Sequence, residues 1–153
     1  MIRLILAIAI LIVMLVFFAT RVRVPAASSG LASMTLPDGS HVTAEVMDTP
    51  TARAQGLSGR DRLEEGKGML FLFDTKAAHG FWMKGMKFSI DIVWLDGDKV
   101  VTVLPDVPFD RMHQLVIRMP TAPADKVLEL PAGYAKSHGI VEGATLDILL
   151  PAR

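Results

Sequence analysis

"FSIDIVWLDGDKVVTVL", residues 88 to 104, is the stretch that decides the fold of this chain. Its apolar residues recur at alternate positions, which is the period of a β-strand. One face of the predicted strand holds Ile90, Ile92 and Trp94, and the other holds Ser89, Asp91, Val93 and Leu95. The Asp-Gly pair at 96 and 97 is a turn signal, and a second apolar run follows at residues 100 to 104. We therefore expect a β-hairpin here.

The same alternation recurs on both sides of this hairpin, interrupted by glycine and proline. It predicts further strands at residues 31–36, 41–47, 68–73, 126–130 and 144–150. Thr49 as an N-cap, Pro50 at the first helical position and Gly59 as a stop predict a short helix. A second short helix is predicted to begin at Pro131 and to end at Gly139.

Seven or eight short strands with two small helices predict a mainly β protein. We expect a jelly-roll-like sandwich or a partly open barrel, preceded by an N-terminal apolar helix. Parallel strands need connections of a dozen or more residues, usually helical, and only the proline-rich stretch is long enough, so we expect antiparallel neighbours elsewhere. Residues 105 to 125 contain four prolines. They predict a long surface excursion in which residues 114–119 form an edge strand.

The N-terminus carries an apolar segment. Leu4 to Ala19 contains no polar residue and would be about 24 Å long as a helix. A membrane core of about 30 Å needs roughly 20 residues, so residues 2–20 together would make a marginal span. We interpret residues 1–23 as an uncleaved signal anchor or a cleaved signal peptide, residues 24–30 as a tether and residues 31–153 as a single β-rich domain. The membrane is then one partner, and the domain is extracytoplasmic, in the periplasm or cell envelope, anchored or secreted.

Charge and cysteine content exclude several classes of function. The chain has sixteen basic and sixteen acidic residues. Three of the basic residues, Arg3, Arg21 and Arg23, lie in or beside the apolar segment, which leaves thirteen basic residues in the rest. Such a mildly acidic domain lacks the basic stripe of nucleic-acid binders, so we expect no nucleic-acid partner. The absence of cysteine excludes disulfides, a thiol nucleophile and thiolate metal sites.

Asp91 is the first candidate site residue, because it stands in the middle of an apolar strand. Aspartate is disfavoured in strands, and burying it unpaired costs several kcal/mol, roughly 2–7 for a polar group. Ionised Asp91 therefore needs a cationic or amide partner, and Arg60, Lys84 and Lys87 are the candidates. The same pattern fits two roles, a buried clamp between elements or a carboxylate that faces a ligand.

Four more residues complete the candidate ligand-binding site: Arg60, Trp82, Lys84 and Glu129. Trp82 beside Lys84 would form a platform on which a ring or cation stacks, or it belongs to the core. Arg60, in a glycine-flanked turn, would present its fork to an anion or cap a helix. Glu129 lies between apolar neighbours, as Asp91 does. Those two carboxylates would suit glycoside cleavage if they lay roughly 5–9.5 Å apart across a cleft.

No cofactor or dedicated metal site is expected. The histidines, His41, His79, His113 and His138, show no ligand spacing. A glycine-rich phosphate loop, a nucleophile elbow and a Ser/His/Asp signature are all missing from the sequence. We therefore assign no catalytic residue.

Five blocks of the sequence together carry a family resemblance. They are the turn with Gly56, Leu57 and Arg60, the strand Gly68 to Phe73, "FWMK" at 81–84, Ile90-Asp91-Ile92, and "LELPAG" at 128–133. In this order, over residues 33 to 150, they resemble the family known as domain of unknown function 192. The resemblance implies an all-β, jelly-roll-like domain that is often exported in bacteria, and it implies no particular activity. Many relatives have Asn-Thr and Pro-Leu where this chain has Gly85-Met86 and Ser89-Ile90.

These features predict an envelope-associated β-domain that acts as a binding or accessory module. Its partner would be a small polar ligand, such as a sugar or a peptide terminus, or another protein. One alternative is a hydrolase or lyase that acts on envelope glycan through Asp91 and Glu129. The other is a purely structural partner domain that makes contact through residues 105 to 125.

Overall fold

A computed structural model describes residues 30–109 and 116–152. The predicted N-terminal apolar helix, the signal segment 1–23 and residues 24–29 of the predicted tether lie outside these residues. Within the described ranges, no helix combines the length and the apolar character that a membrane crossing requires.

The described residues form nine strands and two short helices. The strands are β1 (Leu31–Thr35), β2 (His41–Met47), β3 (Lys67–Ala77), β4 (Phe81–Trp82), β5 (Ile90–Asp96), β6 (Lys99–Val107), β7 (Ile117–Arg118), β8 (Ala124–Pro131) and β9 (Asp147–Leu149). The helices are α1 (Pro50–Gln55), between β2 and β3, and α2 (Tyr134–Ser137), between β8 and β9. The predicted hairpin at residues 88–104 is confirmed as the antiparallel pair of β5 and β6.

Seven strands make one sheet in the order β6-β5-β8-β3-β2-β1-β9, and β4 pairs with β7 in a separate ribbon. The mainly β prediction is confirmed, with two short helices. The expectation of antiparallel neighbours is wrong for β2 and β3, which run parallel, with Met47 opposite Phe71. The connection between them, residues 48–66, contains α1. It is long enough for a crossover although little of it is helical.

The segment at residues 143–149 joins the two edges of the sheet, so we name it the strap. Its first half bonds to β6 and to the turn before it. The N–H of Val100 donates to the Ala144 carbonyl at 2.8 Å, and the N–H of Leu146 donates to the Asp98 carbonyl at 2.9 Å. Its second half is β9, which pairs with β1 at the other edge. One short segment can reach both edges only if the sheet is curled, so the sheet is a half-barrel.

Apolar side chains are buried on both faces of the curled sheet. One cluster draws on both edges and on the strap, as in Met34, Val100 and Leu146, and we call its side the inner face. The other cluster includes Ile90, Ile92 and Trp94 and lies on the outer face. Val93 and Leu95 belong to the inner cluster. The two faces predicted for the strand at residues 88–95 are therefore confirmed.

The helix boundaries agree only in part with the sequence signals. Thr49 is the N-cap of α1, because its Oγ1 accepts a hydrogen bond from the N–H of Ala52 at 3.1 Å. The helix ends at Gly56 and not at Gly59, since Gly56 already takes a φ of 48°. Helix α2 begins at Tyr134 and not at Pro131, because Pro131 is the last residue of β8.

The proline-rich stretch is shorter than predicted, since β6 continues to Val107 and β8 begins at Ala124. Its predicted edge strand is reduced to β7, which pairs with Phe81–Trp82 and not with the main sheet. The ribbon and its flanks leave apolar side chains exposed, namely Trp82, Val116, Ile117 and Met119. Contact of this region with a protein partner stays a prediction.

Candidate functional site

Asp91 is completely buried on the inner side of β5. Its Oδ1 accepts hydrogen bonds from the backbone N–H groups of Asp106 at 2.7 Å and Gly133 at 2.9 Å, and its Oδ2 accepts one from the N–H of Ala135 at 2.7 Å. Gly133 is the N-cap of α2 and has no side chain for this purpose. Asp91 therefore caps α2 from a neighbouring strand, which makes it a clamp between elements.

A β-bulge explains how the N–H of Asp106 reaches Asp91. Between the pairs Ile90–Val107 and Ile92–Leu104, one residue of β5 faces two residues of β6. One of these two, Asp106, adopts a φ of 48°, and its N–H turns toward the carboxylate. The predicted ion pair of Asp91 with a lysine or arginine is therefore wrong, since main-chain dipoles supply the positive field instead.

The cationic residues predicted to lie beside Asp91 are elsewhere. Arg60 makes a bidentate ion pair with Glu45, with Nη1–Oε1 at 2.5 Å and Nη2–Oε2 at 2.7 Å. This hydrogen bonding lowers the pKa of Glu45 and raises the pKa of Arg60. Lys87 pairs with Asp61 at 2.6 Å. Lys84 is exposed, and its backbone carbonyl accepts a hydrogen bond from the Ser58 hydroxyl at 2.7 Å.

Glu129 lies on the outer side of β8, opposite Met69 of β3 and Ile92 of β5. It is 5% exposed, and its Oε2 has no hydrogen-bond partner among the described residues. Burial raises the pKa of this carboxyl group to about 8, and the positive charge of Arg60 offsets only part of that effect. The group is therefore a carboxylic acid that is mostly protonated at neutral pH.

The two buried carboxyl groups do not share a cleft. Ile92 stands opposite Glu129, and Asp91, one residue earlier, stands opposite Leu130. Since neighbouring residues of a strand point to opposite faces, Asp91 faces inward and Glu129 faces outward. The hydrolase alternative needs both groups on one bond of one substrate, and the sheet separates them.

An open cavity of about 240 Å³ lies on the outer face, beside Glu129. Its walls come from α1 and the turn after it, from β3 and from the start of the ribbon. The lining residues are Arg53, Ala54, Gln55, Gly56, Leu57, Ser58, Phe71, Phe73, Gly80, Phe81, Trp82, Met86 and Glu129. Of the five predicted site residues, the structure brings Trp82 and Glu129 to this cavity. It places Arg60, Lys84 and Asp91 outside the lining.

Aromatic rings give the cavity a fixed frame. Phe81 meets Phe71 edge to face, with ring centroids 4.8 Å apart and an interplanar angle of 87°. Phe73 stacks on His79 with centroids 3.6 Å apart. The ring of Phe81 also contacts Trp94, whose indole N–H donates to the His79 carbonyl at 2.8 Å. Such edge and stacking contacts add roughly 0.5–1.5 kcal/mol each beyond simple burial, so the wall is preformed.

Arg53 closes one side of this frame. Its Nη1 donates to the carbonyls of Asp48 at 2.6 Å and Leu72 at 2.9 Å, so the guanidinium is bound to the residue after β2 and to β3. The same guanidinium lies over the Phe73 ring, 5.1 Å from its centroid. Trp82 is 46% exposed, so part of its indole is free to contact a ligand.

Sequence reasoning missed most of the residues that line the cavity. Phe71 and Phe73 alternate in "FLF" and so share a strand face, which was a usable signal. Arg53 gave no signal, because a basic residue in a short polar helix is ordinarily exposed. In the part of the chain that the structure describes, no group of three His, Asp or Glu side chains is placed to hold a metal ion.

A curled β half-barrel with an aromatic cavity on its outer face places the chain among small β-domain proteins. Comparison with known families makes this specific. The chain belongs to the DUF192 family, described as uncharacterized ACR, whose sequence profile matches residues 34–148. The family resemblance read from the five sequence blocks is therefore confirmed.

Solved structures agree with this assignment. A candidate transcription regulator from Sinorhizobium meliloti 1021 is similar with a TM-score of 0.70 and 27% sequence identity, over 80% of this chain and 95% of that one. A protein of unknown function from Novosphingobium aromaticivorans DSM 12444 has a TM-score of 0.66 and 25% identity, over 84% of this chain and 96% of that one. No curated protein sequence matches the chain.

Proposed function

We propose that this protein is a binding module of the cell envelope whose aromatic cavity takes a small ligand with an apolar body and one polar group. The observation that carries the proposal is Glu129, a buried carboxyl group that lines the cavity and has an oxygen without a hydrogen-bond partner among the described residues. A ligand in the cavity that donates to this carboxyl group would offset part of the cost of burying it.

A buried carboxyl group without a hydrogen-bond partner is more typical of a binding site than of a purely structural position. An unpaired buried polar group costs roughly 1–3 kcal/mol, and a leucine at this position would avoid that cost. Groups that are costly to the fold and have shifted pKa values concentrate at functional sites. The cavity is a little smaller than the ~300–1,000 Å³ of pockets for drug-sized ligands, so a ligand of one ring or a short branched chain fits best.

The residues that line the cavity favour a different class of ligand from the one that the sequence suggested. The sequence suggested a sugar or a peptide terminus at a site of five residues. Three of them, Arg60, Lys84 and Asp91, do not line the cavity. The walls are aromatic or apolar at Phe71, Phe73, Phe81, Trp82 and Met86. We therefore propose a mostly apolar ligand, with stacking on Trp82 at the mouth and one hydrogen bond at Glu129.

Ligand screening by thermal shift tests this proposal. The full-length chain in a neutral detergent would be screened against small aromatic amines, alcohols, amides and acids. A ligand at about 100 times its Kd stabilises by roughly 2.7 kcal/mol, which corresponds to a rise in Tm of about 5 °C or more. The rise is expected in the native chain and in a variant with Thr51→Trp.

A variant with Ala54→Trp should lose this rise, because Ala54 lines the cavity and an indole there would fill its mouth. Thr51 is the matched control, since it is exposed on the same helix but is not part of the lining. Equal Tm rises in the two tryptophan variants would place binding elsewhere. The absence of any Tm rise across the whole library would remove the proposed function.

We also propose that the domain lies outside the cytoplasm, tethered or released by the apolar segment at residues 2–20. The segment is apolar enough to enter a membrane, and the absence of cysteine imposes no redox requirement on the domain. Fusion of alkaline phosphatase to the C-terminus tests the location, because that enzyme needs an oxidising compartment. Active phosphatase is expected, while a bright green fluorescent protein fused at the same position would contradict the proposal.

A further inference from the structure

We propose that the ligand of the aromatic cavity is a small organic monocation, an amine or a related ammonium compound, whose charged group pairs with Glu129. This inference rests on the proposed function and adds the charge of the ligand to it. Three observations support it: Glu129 has an oxygen without a hydrogen-bond partner among the described residues, the cavity walls are aromatic, and the site disfavours other ions.

The first step concerns the missing partner of Glu129. Arg60 is the cation whose charge acts on Glu129, but both of its terminal nitrogens are bound to the two carboxylate oxygens of Glu45. Arg53 lines the cavity, yet its Nη1 is held by two backbone carbonyls. Neither arginine donates a hydrogen bond to Glu129 Oε2 among the described residues, so a ligand can supply the donor to this carboxyl group.

The second step concerns the walls. The faces of aromatic rings attract cations, and the effect grows when water is excluded. The protein already uses this interaction at the rim, where the Arg53 guanidinium lies over Phe73. Phe71, Phe81 and Trp82 continue the aromatic wall. A ligand ammonium group would find aromatic rings around it and a carboxylate at its end, which is a common arrangement for recognising ammonium compounds.

The third step concerns competing ions. A metal ion is disfavoured, because hard cations take several oxygen ligands and Glu129 is the one carboxylate among the lining residues. An anion is disfavoured once Glu129 is ionised, because the two negative charges would repel each other. A neutral or anionic ligand that accepts a hydrogen bond from the acid form of Glu129 is the remaining competitor, and pH separates it from a cation.

The direction of the pH effect follows from the protonation state. Glu129 binds a proton in the free protein below about pH 8. Pairing with a cation requires the ionised form, so binding releases this proton, and affinity should rise by up to about tenfold per pH unit from pH 6 to pH 8. The neighbouring charges are Arg60 with its partner Glu45, from the turn after α1 and from β2, and Arg53 from α1. Arg60 and Glu45 stay ionised in this range, since their pairing raises one pKa and lowers the other.

Calorimetry with three matched probes tests the inference on the full-length chain in neutral detergent. Phenethylamine, 2-phenylethanol and phenylacetate share a ring and a two-carbon chain but carry a cation, a neutral hydroxyl group and an anion. Phenethylamine is expected to bind at least about tenfold more tightly than either of the others, which corresponds to about 1.4 kcal/mol. Its binding enthalpy should depend on the buffer, because a proton is released.

A Glu129→Gln variant completes the test. The variant should lose at least about tenfold of its affinity for phenethylamine and the pH dependence, while 2-phenylethanol should bind as before. Equal or tighter binding of 2-phenylethanol or phenylacetate to the native chain would overturn the charge assignment and leave the cavity as a binding site. Failure of all three probes, together with a failed library screen, would overturn the proposed function itself.

Discussion

Replacing Asp91 with alanine is expected to lower the free energy of unfolding by about 3–5 kcal/mol, because it leaves three backbone N–H groups without an acceptor in the interior. These groups belong to Asp106, Gly133 and Ala135, which come from the bulge of β6 and the start of α2. One side chain thus fixes two segments to β5. Urea unfolding followed by tryptophan fluorescence would measure the change.

Two further variants make this result interpretable. Asp91→Asn keeps the shape and one acceptor oxygen, but turns an NH₂ group toward an N–H donor, so an intermediate loss of about 2–3 kcal/mol is expected. Asp147→Ala removes an exposed carboxylate from β9 and should change stability by less than about 0.5 kcal/mol. An Asp91→Ala protein as stable as the Asp147→Ala control would show that the carboxylate is not the clamp.

Glu129 should give the free protein a stability that falls as the pH rises. The folded-state pKa of about 8 is higher than the ordinary value of 4.5. Below pH 4.5 the carboxyl group is protonated in both states, and between these pH values only the folded state keeps the proton. The free energy of unfolding therefore falls by about 1.4 kcal/mol per pH unit, for a total of about 3–5 kcal/mol by pH 8.

The variant Glu129→Gln isolates this effect from the other titrating groups. It removes the ionisable group at nearly constant shape, so its stability should depend less on pH than that of the native chain, and it should be the more stable protein at pH 8.5. Unfolding curves of both proteins at pH 5.5, 7 and 8.5 provide the measurement. Parallel pH profiles would mean that Glu129 is not desolvated in the folded state.

The sequence was sufficient for those parts of the fold that depend on local pattern. The alternation around Ile92 and the Asp-Gly turn predicted the hairpin and the two faces of β5. Thr49 and Pro50 predicted where α1 begins. The parallel pair of β2 and β3 was missed, because a crossover with only six helical residues carries no helical periodicity.

The candidate site was predictable only in part, for a physical reason. An acidic residue inside an apolar run is easily recognised in a sequence, so Asp91 and Glu129 could both be found. Their partners were not predictable, because Asp91 binds backbone N–H groups, which any residue provides, and because Arg60 pairs with Glu45 of another strand. Only the register of β5 and β8 shows that Asp91 and Glu129 lie on opposite faces of the sheet.

The strap has a consequence for how the protein is made. β1 is the first of the described strands in chain order. One of its two neighbours in the sheet is β9, the last of the described strands. The half-barrel is therefore incomplete until β9 has been synthesised, and contacts between such distant segments slow folding. A nascent chain therefore keeps this edge of the sheet open until β9 pairs with β1.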